Sequence, residues 1–276
     1  MNINNKARIL LLGVAFLAAV PVSHGQILKR IKKKAEKAAE KAIDDVVSGD
    51  EEANQTPEEA PSTGLPAKAA VSQVVDFTAG DSLLFGDDLT GETIGSMPHY
   101  WKTSGSGQVV TFPGTEGNWM LLKEFTTYKL DTLLAMPADF SLEFDIFTRS
   151  DKARDLNDFN FGFARDNSVS SYISDAYNDN AITSTTVHYW NEEVIHSSSD
   201  TKVYNTSDFE LANYANAVMH VSIQVNGTKM KVYLDDKKVL DTDMFDPKTP
   251  KYFYMSTGTE LNNEAQIAVS NFQLRE

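Results

Sequence analysis

Along most of the chain, apolar side chains recur at every second position. "SLEFDIFT" sets Leu142, Phe144 and Ile146 on one face and Ser141, Glu143 and Asp145 on the other. "DFNFGFAR" gathers Phe159, Phe161 and Phe163, and "VMHVSIQV" gathers Met219, Val221, Ile223 and Val225. Beyond Asn226-Gly227, Met230, Val232 and Leu234 alternate with Lys229, Lys231 and Tyr233. A period of two is that of a strand with one buried face. Asn-Gly between two such runs predicts a tight hairpin whose turn residues both take positive φ. Further strands are expected at 107–112, 118–123, 183–190, 252–256 and 265–274. Many strands with turn signals between them, and no long helix, predict an all-β, antiparallel sandwich or jelly roll from about residue 72 to residue 276.

The N-terminal quarter is patterned differently. Residues 1–25 place Lys6 and Arg8 before a twelve-residue apolar run, Ile9 to Val20, which ends at Pro21. Ser23 and Gly25 then precede Gln26 at the −3 and −1 positions of a signal-peptidase cut. Twelve residues at about 1.5 Å each fall short of the ~30 Å core of a bilayer, so the run predicts export by a signal peptide, not a span. Residues 26–47 hold seven bases and four acids among Ala, Glu and Ile at three- and four-residue spacings, which predicts one basic amphipathic helix. Such a helix serves as a solvated tether or as a peripheral contact with anionic lipid or a partner helix. Residues 48–71 are rich in Pro, Glu, Ala and Ser, lack bulky apolar side chains, and read as a flexible acidic linker.

Composition narrows the functional classes. There is no cysteine, which excludes a disulfide framework, a thiolate metal site, a catalytic thiol and a lipidated cysteine anchor. The net charge is −14, and residues 48–276 alone carry −19. A body this acidic repels phosphate backbones, and nucleic acid is not expected as a partner.

The segment "HVSIQVNGTKMKVYLDDKKVLDT" resembles the laminin-G and concanavalin A-like signature, with Met219 where the family has Trp and Asp236 where it has Gly. "FGDDLTGETIGSMPHYWKTS" and "IAVSNFQL" resemble the opening and closing strands of the same superfamily. The resemblance covers roughly 75–276 and implies a concanavalin A-like jelly roll. The order of leader, basic helix, acidic linker and sandwich is similar to the N-terminal half of Gram-negative OmpA-family envelope proteins. Their peptidoglycan-binding domain has no counterpart before Glu276. These likenesses imply an exported module that is periplasmic, outer-membrane-associated or extracellular.

Candidate chemistry follows from residue type and spacing. Glu143 and Asp145 share a strand face about 6.6–6.8 Å apart along the strand. The concanavalin A-like glucanases carry Glu-x-Asp there, followed by a further Glu that serves as acid/base. Phe147 and Thr148 occupy that position here. The pair is therefore either a hydrolase remnant, Glu143 and Asp145 being the catalytic candidates, or part of a sugar-contacting surface, or simply solvated. "HYWN" offers His188, Trp190 and Asn191 as a second ligand-contacting group, and His188 and His196 flank a turn that could bring them together. Trp101, Trp119, Tyr172, Tyr177, Tyr189 and Trp190 lie at loop-rich positions suited to stacking on sugar. No histidine pair has metal-ligand spacing, and surface or strand-edge places are expected for these side chains. Asp155, Asp158, Asp175 and Asp179 are the weak calcium candidates, in oxygen-rich loops that match no EF-hand; no other cofactor is implied. The expected function is a non-catalytic module binding glycan or an envelope protein. A β-glycan hydrolase and a purely structural envelope protein remain the alternatives.

Overall fold

The computed structural model describes residues 76–131, 134, 136–178 and 180–276. The signal peptide, the helix at 26–47 and the linker at 48–71 lie outside the described residues, as does Asp179. Among the described residues no helix is long and apolar enough to cross a membrane.

The strands, in chain order, are β1 (Leu83–Asp87), β2 (Trp101–Thr103), β3 (Gly107–Val110), β4 (Trp119–Leu122), β5 (Thr127–Leu130), β6 (Asp139–Arg149), β7 (Asp158–Ala164), β8 (Ala181–His188), β9 (Glu193–Ser198), β10 (Tyr204–Asp208), β11 (Val218–Asn226), β12 (Lys229–Leu234), β13 (Lys237–Asp243), β14 (Tyr252–Thr257) and β15 (Gln266–Arg275). They form two antiparallel sheets, as the alternation predicted. Sheet A runs β13-β12-β11-β6-β15-β4-β3, with β1 also pairing to β15; sheet B runs β10-β9-β8-β7-β14-β5-β2.

Phenylalanines join the layers. Phe144 of β6 stacks on Phe272 of β15 at 5.1 Å and meets Phe161 of β7 at 5.5 Å and Phe253 of β14 at 5.7 Å. Phe140 lies 5.5 Å from Phe163. Met219, Val221, Ile223 and Val225 turn inward from β11 beside them. β7 and β8 approach so closely that a Cβ on Gly162 would stand 2.1 Å from the Thr183 carbonyl oxygen.

Four sequence expectations are corrected. The β11–β12 hairpin centres on Gly227-Thr228, because Asn226 pairs with Lys229. Only Gly227 (φ 60) takes positive φ there, the pattern of a II′ turn with Gly first. His188 and His196 do not meet: Thr185 pairs with His196 and His188 with Glu193, so the two imidazoles leave opposite faces of the β8–β9 hairpin. His196 is no surface group but fully buried, with Thr185 Oγ1 3.0 Å from Nδ1, and burial pushes its pKa down to about 4. Trp101, Trp119 and Tyr189 are buried side chains too, and Trp101 donates its indole N–H to Asp87.

Phe144→Ala removes the ring shared by both layers. We expect it to cost about 3–5 kcal/mol, the usual range for a buried Phe truncation, read as a lower urea midpoint at unchanged slope.

Candidate functional site

The outer face of sheet A carries the densest polar constellation. β6 is an interior strand, flanked by β11 and β15. Its alternation sends Phe144 and Ile146 into the core and leaves Glu143 and Asp145 half-buried on the outside. Across the ladder, His220 of β11 is the direct partner of Asp145. Its Nδ1 lies 2.7 Å from Asp145 Oδ1 and its Nε2 3.2 Å from Glu143 Oε2. One imidazole thus bridges both carboxylates.

Two backbone irregularities complete the arrangement. On β15, Ser270 pairs with Asp145 and Gln273 with Glu143, so three steps on one strand face two on the other. This is a bulge. Asn271 takes φ 59 in it, which puts Ser270 and Asn271 on the outer face in succession before Phe272 returns to the core. The Asn271 amide then donates to Asp145 Oδ2 at 2.6 Å. In the β12–β13 turn Asp235 takes φ 49; its Oδ1 accepts the His220 backbone N–H at 2.8 Å and its Oδ2 accepts the Tyr214 hydroxyl. Asn and Asp are the side chains best able to adopt this conformation without a glycine.

Glu143 and His220 of the cluster floor a recess of about 600 Å³ that is also lined by Phe77, Ser222, Tyr233 and the Asp235-Asp236 turn. Its wall is the segment entering the domain. Asp76 binds Lys231 and the Tyr233 hydroxyl at 2.8 and 2.7 Å, and Phe77 packs edge-on against the Tyr233 ring at 5.7 Å. Farther along β6, Phe147 and Arg149 floor a second recess of about 410 Å³ between the Phe112–Thr115 loop and Asn216–Val218.

The charges reinforce one another. The hydrogen bond that His220 donates to Asp145 raises the His220 pKa above its ordinary 6.5; burial opposes this, and Glu143 adds to the rise. Burial alone would raise Asp145, but the His220 and Asn271 hydrogen bonds outweigh it and hold the carboxyl below its ordinary 3.8. The folded-state contribution of His220 is full below 6.5 and is lost as pH rises through its raised pKa. That of Asp145 is full above 3.8 and is lost as pH falls through its depressed pKa.

The other sequence candidates lie elsewhere. His188, Trp190 and Asn191 sit at the β8–β9 end of sheet B, so they do not join Glu143 and Asp145 in one site. His188 Nδ1 accepts the Asn191 N–H at 3.2 Å, and the Asn191 amide donates to Glu193 at 3.0 Å. Trp190 is exposed, with the Arg154 guanidinium 5.8 Å from its ring. Of the calcium candidates, Asp155 is buried in a short 3₁₀ turn, Asp158 opens β7, and Asp175 accepts the Tyr177 N–H at 2.6 Å. Among the described residues no three His, Cys, Asp or Glu side chains gather as a metal site. Sequence reasoning missed Asn271 and Asp235 and gave His220 only a surface or strand-edge place. The Asp-Asp turn was visible in the sequence, whereas the bulge that turns Asn271 outward leaves no periodic signal.

No protein-family model and no curated protein matches the chain. Solved structures do. The Emp47p carbohydrate recognition domain has 13% identity and a TM-score of 0.48, over 72% of this chain and 99% of that one. Arcelin-5, a lectin-like defence protein from Phaseolus vulgaris, has 10% and 0.48, over 69% and 96%. The carbohydrate-binding module CBM66 from Bacillus subtilis has 15% and 0.44, over 64% and 96%. All three are distant, and the ligand class in each name is that protein's own.

An NMR titration of the His220 ring checks the electrostatics. We expect a midpoint above 6.5, moved back toward that value in Asp145→Asn.

Proposed function

We propose that the domain is a non-catalytic glycan-binding module whose ligand lies on the outer face of sheet A, over β6 and β11. The observation that carries this reading is the preorganised Glu143–His220–Asp145–Asn271 network, of which Glu143 and His220 line an open recess. Stability alone is a poor reason for it. Solvent-facing ion pairs contribute only about 0–1 kcal/mol, too little to account for a four-residue network set by a bulge and a turn. Spending irregular backbone on a fixed set of donors and acceptors is the economy of a binding site.

Hydroxyl-rich rings need such a set, together with an apolar surface. The carboxylates, held in place by His220 and Asn271, accept sugar hydroxyls, and Phe77 supplies a ring at the wall. The second recess over Phe147 extends the surface along β6, which suits an oligosaccharide better than a single sugar. The acidic body favours neutral or amino-bearing glycans over polyanions.

Hydrolysis by Glu143 and Asp145 is the weaker reading. A glycosidase acid must hold its proton near neutral pH, which requires a raised carboxyl pKa. Asp145 is shifted the other way. The signal-like pattern of residues 1–25 supports work outside the cytoplasm, with helix 26–47 as the tether to an envelope partner or an anionic membrane.

The test is NMR titration of the full chain with neutral hexasaccharides (malto-, cello-, laminari- and manno-) and a glucosamine oligomer. We expect saturable shifts of the amides of Glu143, Asp145, His220 and Ser222 with at least one sugar, and at least tenfold weaker binding in His220→Ala. Absence of shifts at these amides with every sugar would overturn the reading.

A further inference from the structure

On the opposite layer, three independent features converge beside Gly258. The first is Phe125, in the β4–β5 turn. It takes φ 52 and is 59% exposed, a rare pairing for a large aromatic side chain. The turn is held in place rather than loose: Phe125 N–H donates to Gly258 O at 2.8 Å, and the Thr257 hydroxyl donates to Lys123 O.

The second is Tyr172, in the loop between β7 and β8. Its ring lies against that of Phe125, centroids 4.4 Å apart and planes 35° from parallel. Its hydroxyl donates to Thr257 O at 2.7 Å, and the next residue, Ile173, donates its N–H to Thr127 Oγ1 at 2.8 Å. The ring pair is therefore fixed from beneath.

The third is Asp158. Gly258 N–H donates to Asp158 O at 2.7 Å, and a Cβ on Gly258 would stand 3.4 Å from Asp158 Cβ, so this side chain lies beside the Gly258 backbone that holds Phe125, and its charge acts on the Tyr172 hydroxyl. Its Oδ1 is buried with no hydrogen-bond partner. His188 Nε2 is 3.3 Å away, within ion-pair distance but not aligned as a hydrogen bond. The side chain keeps 28% of its surface, leaving the other oxygen outward. Burial raises its pKa, opposed by the charge of His188. Where Asp145 is supplied with donors, Asp158 lacks them.

We propose that Phe125, Tyr172, Asp158 and His188 form a second sugar-binding site, on the outer face of sheet B, for a neutral hexopyranose. The C–H face of the sugar lies on the ring pair, and a ring hydroxyl donates to the outward oxygen of Asp158, the buried one facing His188. A ligand that brings hydroxyl donors to an undersupplied carboxylate beside an apolar platform is a sugar rather than an apolar peptide or an anion. The site shares no residue with the one over β6 and does not depend on it.

The same hexasaccharide titrations test the proposal on the full chain. We expect saturable shifts of the amides of Phe125, Asp158, Tyr172 and Gly258 with at least one hexasaccharide. Phe125→Gly should weaken binding there at least tenfold without lowering the melting temperature, because glycine adopts positive φ freely. Asp158→Asn should weaken it as strongly while keeping the shape. His220→Ala should leave these shifts unchanged. Absence of saturable shifts here with all four sugars, or shifts indifferent to both Phe125→Gly and Asp158→Asn, would overturn this site. Shifts here with none at Glu143, Asp145 and His220 would defeat the sheet A reading alone.

Discussion

The packing of Phe144 between the two layers is the constraint on which the rest depends. Its ring contacts aromatic side chains from β15, β7 and β14. Because the side-chain period of a strand is two, fixing Phe144 inward fixes Glu143 and Asp145 outward. A slip of one residue would bury two carboxylates and expose a phenylalanine, costs of opposite chemistry that add. The same register that stabilises the sandwich therefore aims the acids.

Register alone does not make a site. Regular pairing sets Asp145 opposite His220 but supplies no donor to the second carboxylate oxygen. The extra residue in β15 does so, by setting Asn271 on the outer face, and the β12–β13 turn holds His220 through its backbone. Regular structure sets the platform, and departures from it at Asn271 and Asp235 set the geometry. These are the places where local backbone preference yields to the arrangement as a whole.

That division explains what was legible in the sequence. β6, β7, β11 and β12 were readable because their inward residues are large and alternate without interruption. The expected strands at 107–112, 118–123, 183–190, 252–256 and 265–274 correspond to β3, β4, β8, β14 and β15 with ends displaced by at most two residues. β5, β9 and β10 were not singled out, and β1 and β2 were touched only by the resemblance of 85–104 to an opening strand: they are short or rich in Thr, Ser, Asn and His, and "TYKL" is buried along its whole length, so it shows no alternation. The buried His196 was hidden for a related reason, since its inward neighbours include Thr185 and pattern assigns polar residues to the surface. Glu143 and Asp145 were legible as a pair, and Asp158 and His188 each as a candidate. Their distribution over two outer faces was not, because strand order is a long-range property that spacing does not encode.

The two faces show why a carboxylate's surroundings say more than its presence. Asp145 lies among donors, its charge matched by His220 and Asn271, and burial does not overcome them. Asp158 lies in a comparable position on the other sheet, also opposite a histidine across the ladder, yet its buried oxygen lacks an aligned donor and burial prevails. The first arrangement is complete without a ligand, so its ligand must find groups already oriented. The second leaves its other oxygen outward with part of the side chain exposed, and a ligand brings the donor to that oxygen. Between them the sandwich carries a rigid polar floor on one side and an undersupplied acceptor beside an aromatic platform on the other. Both are held by one core, and neither requires the other to form.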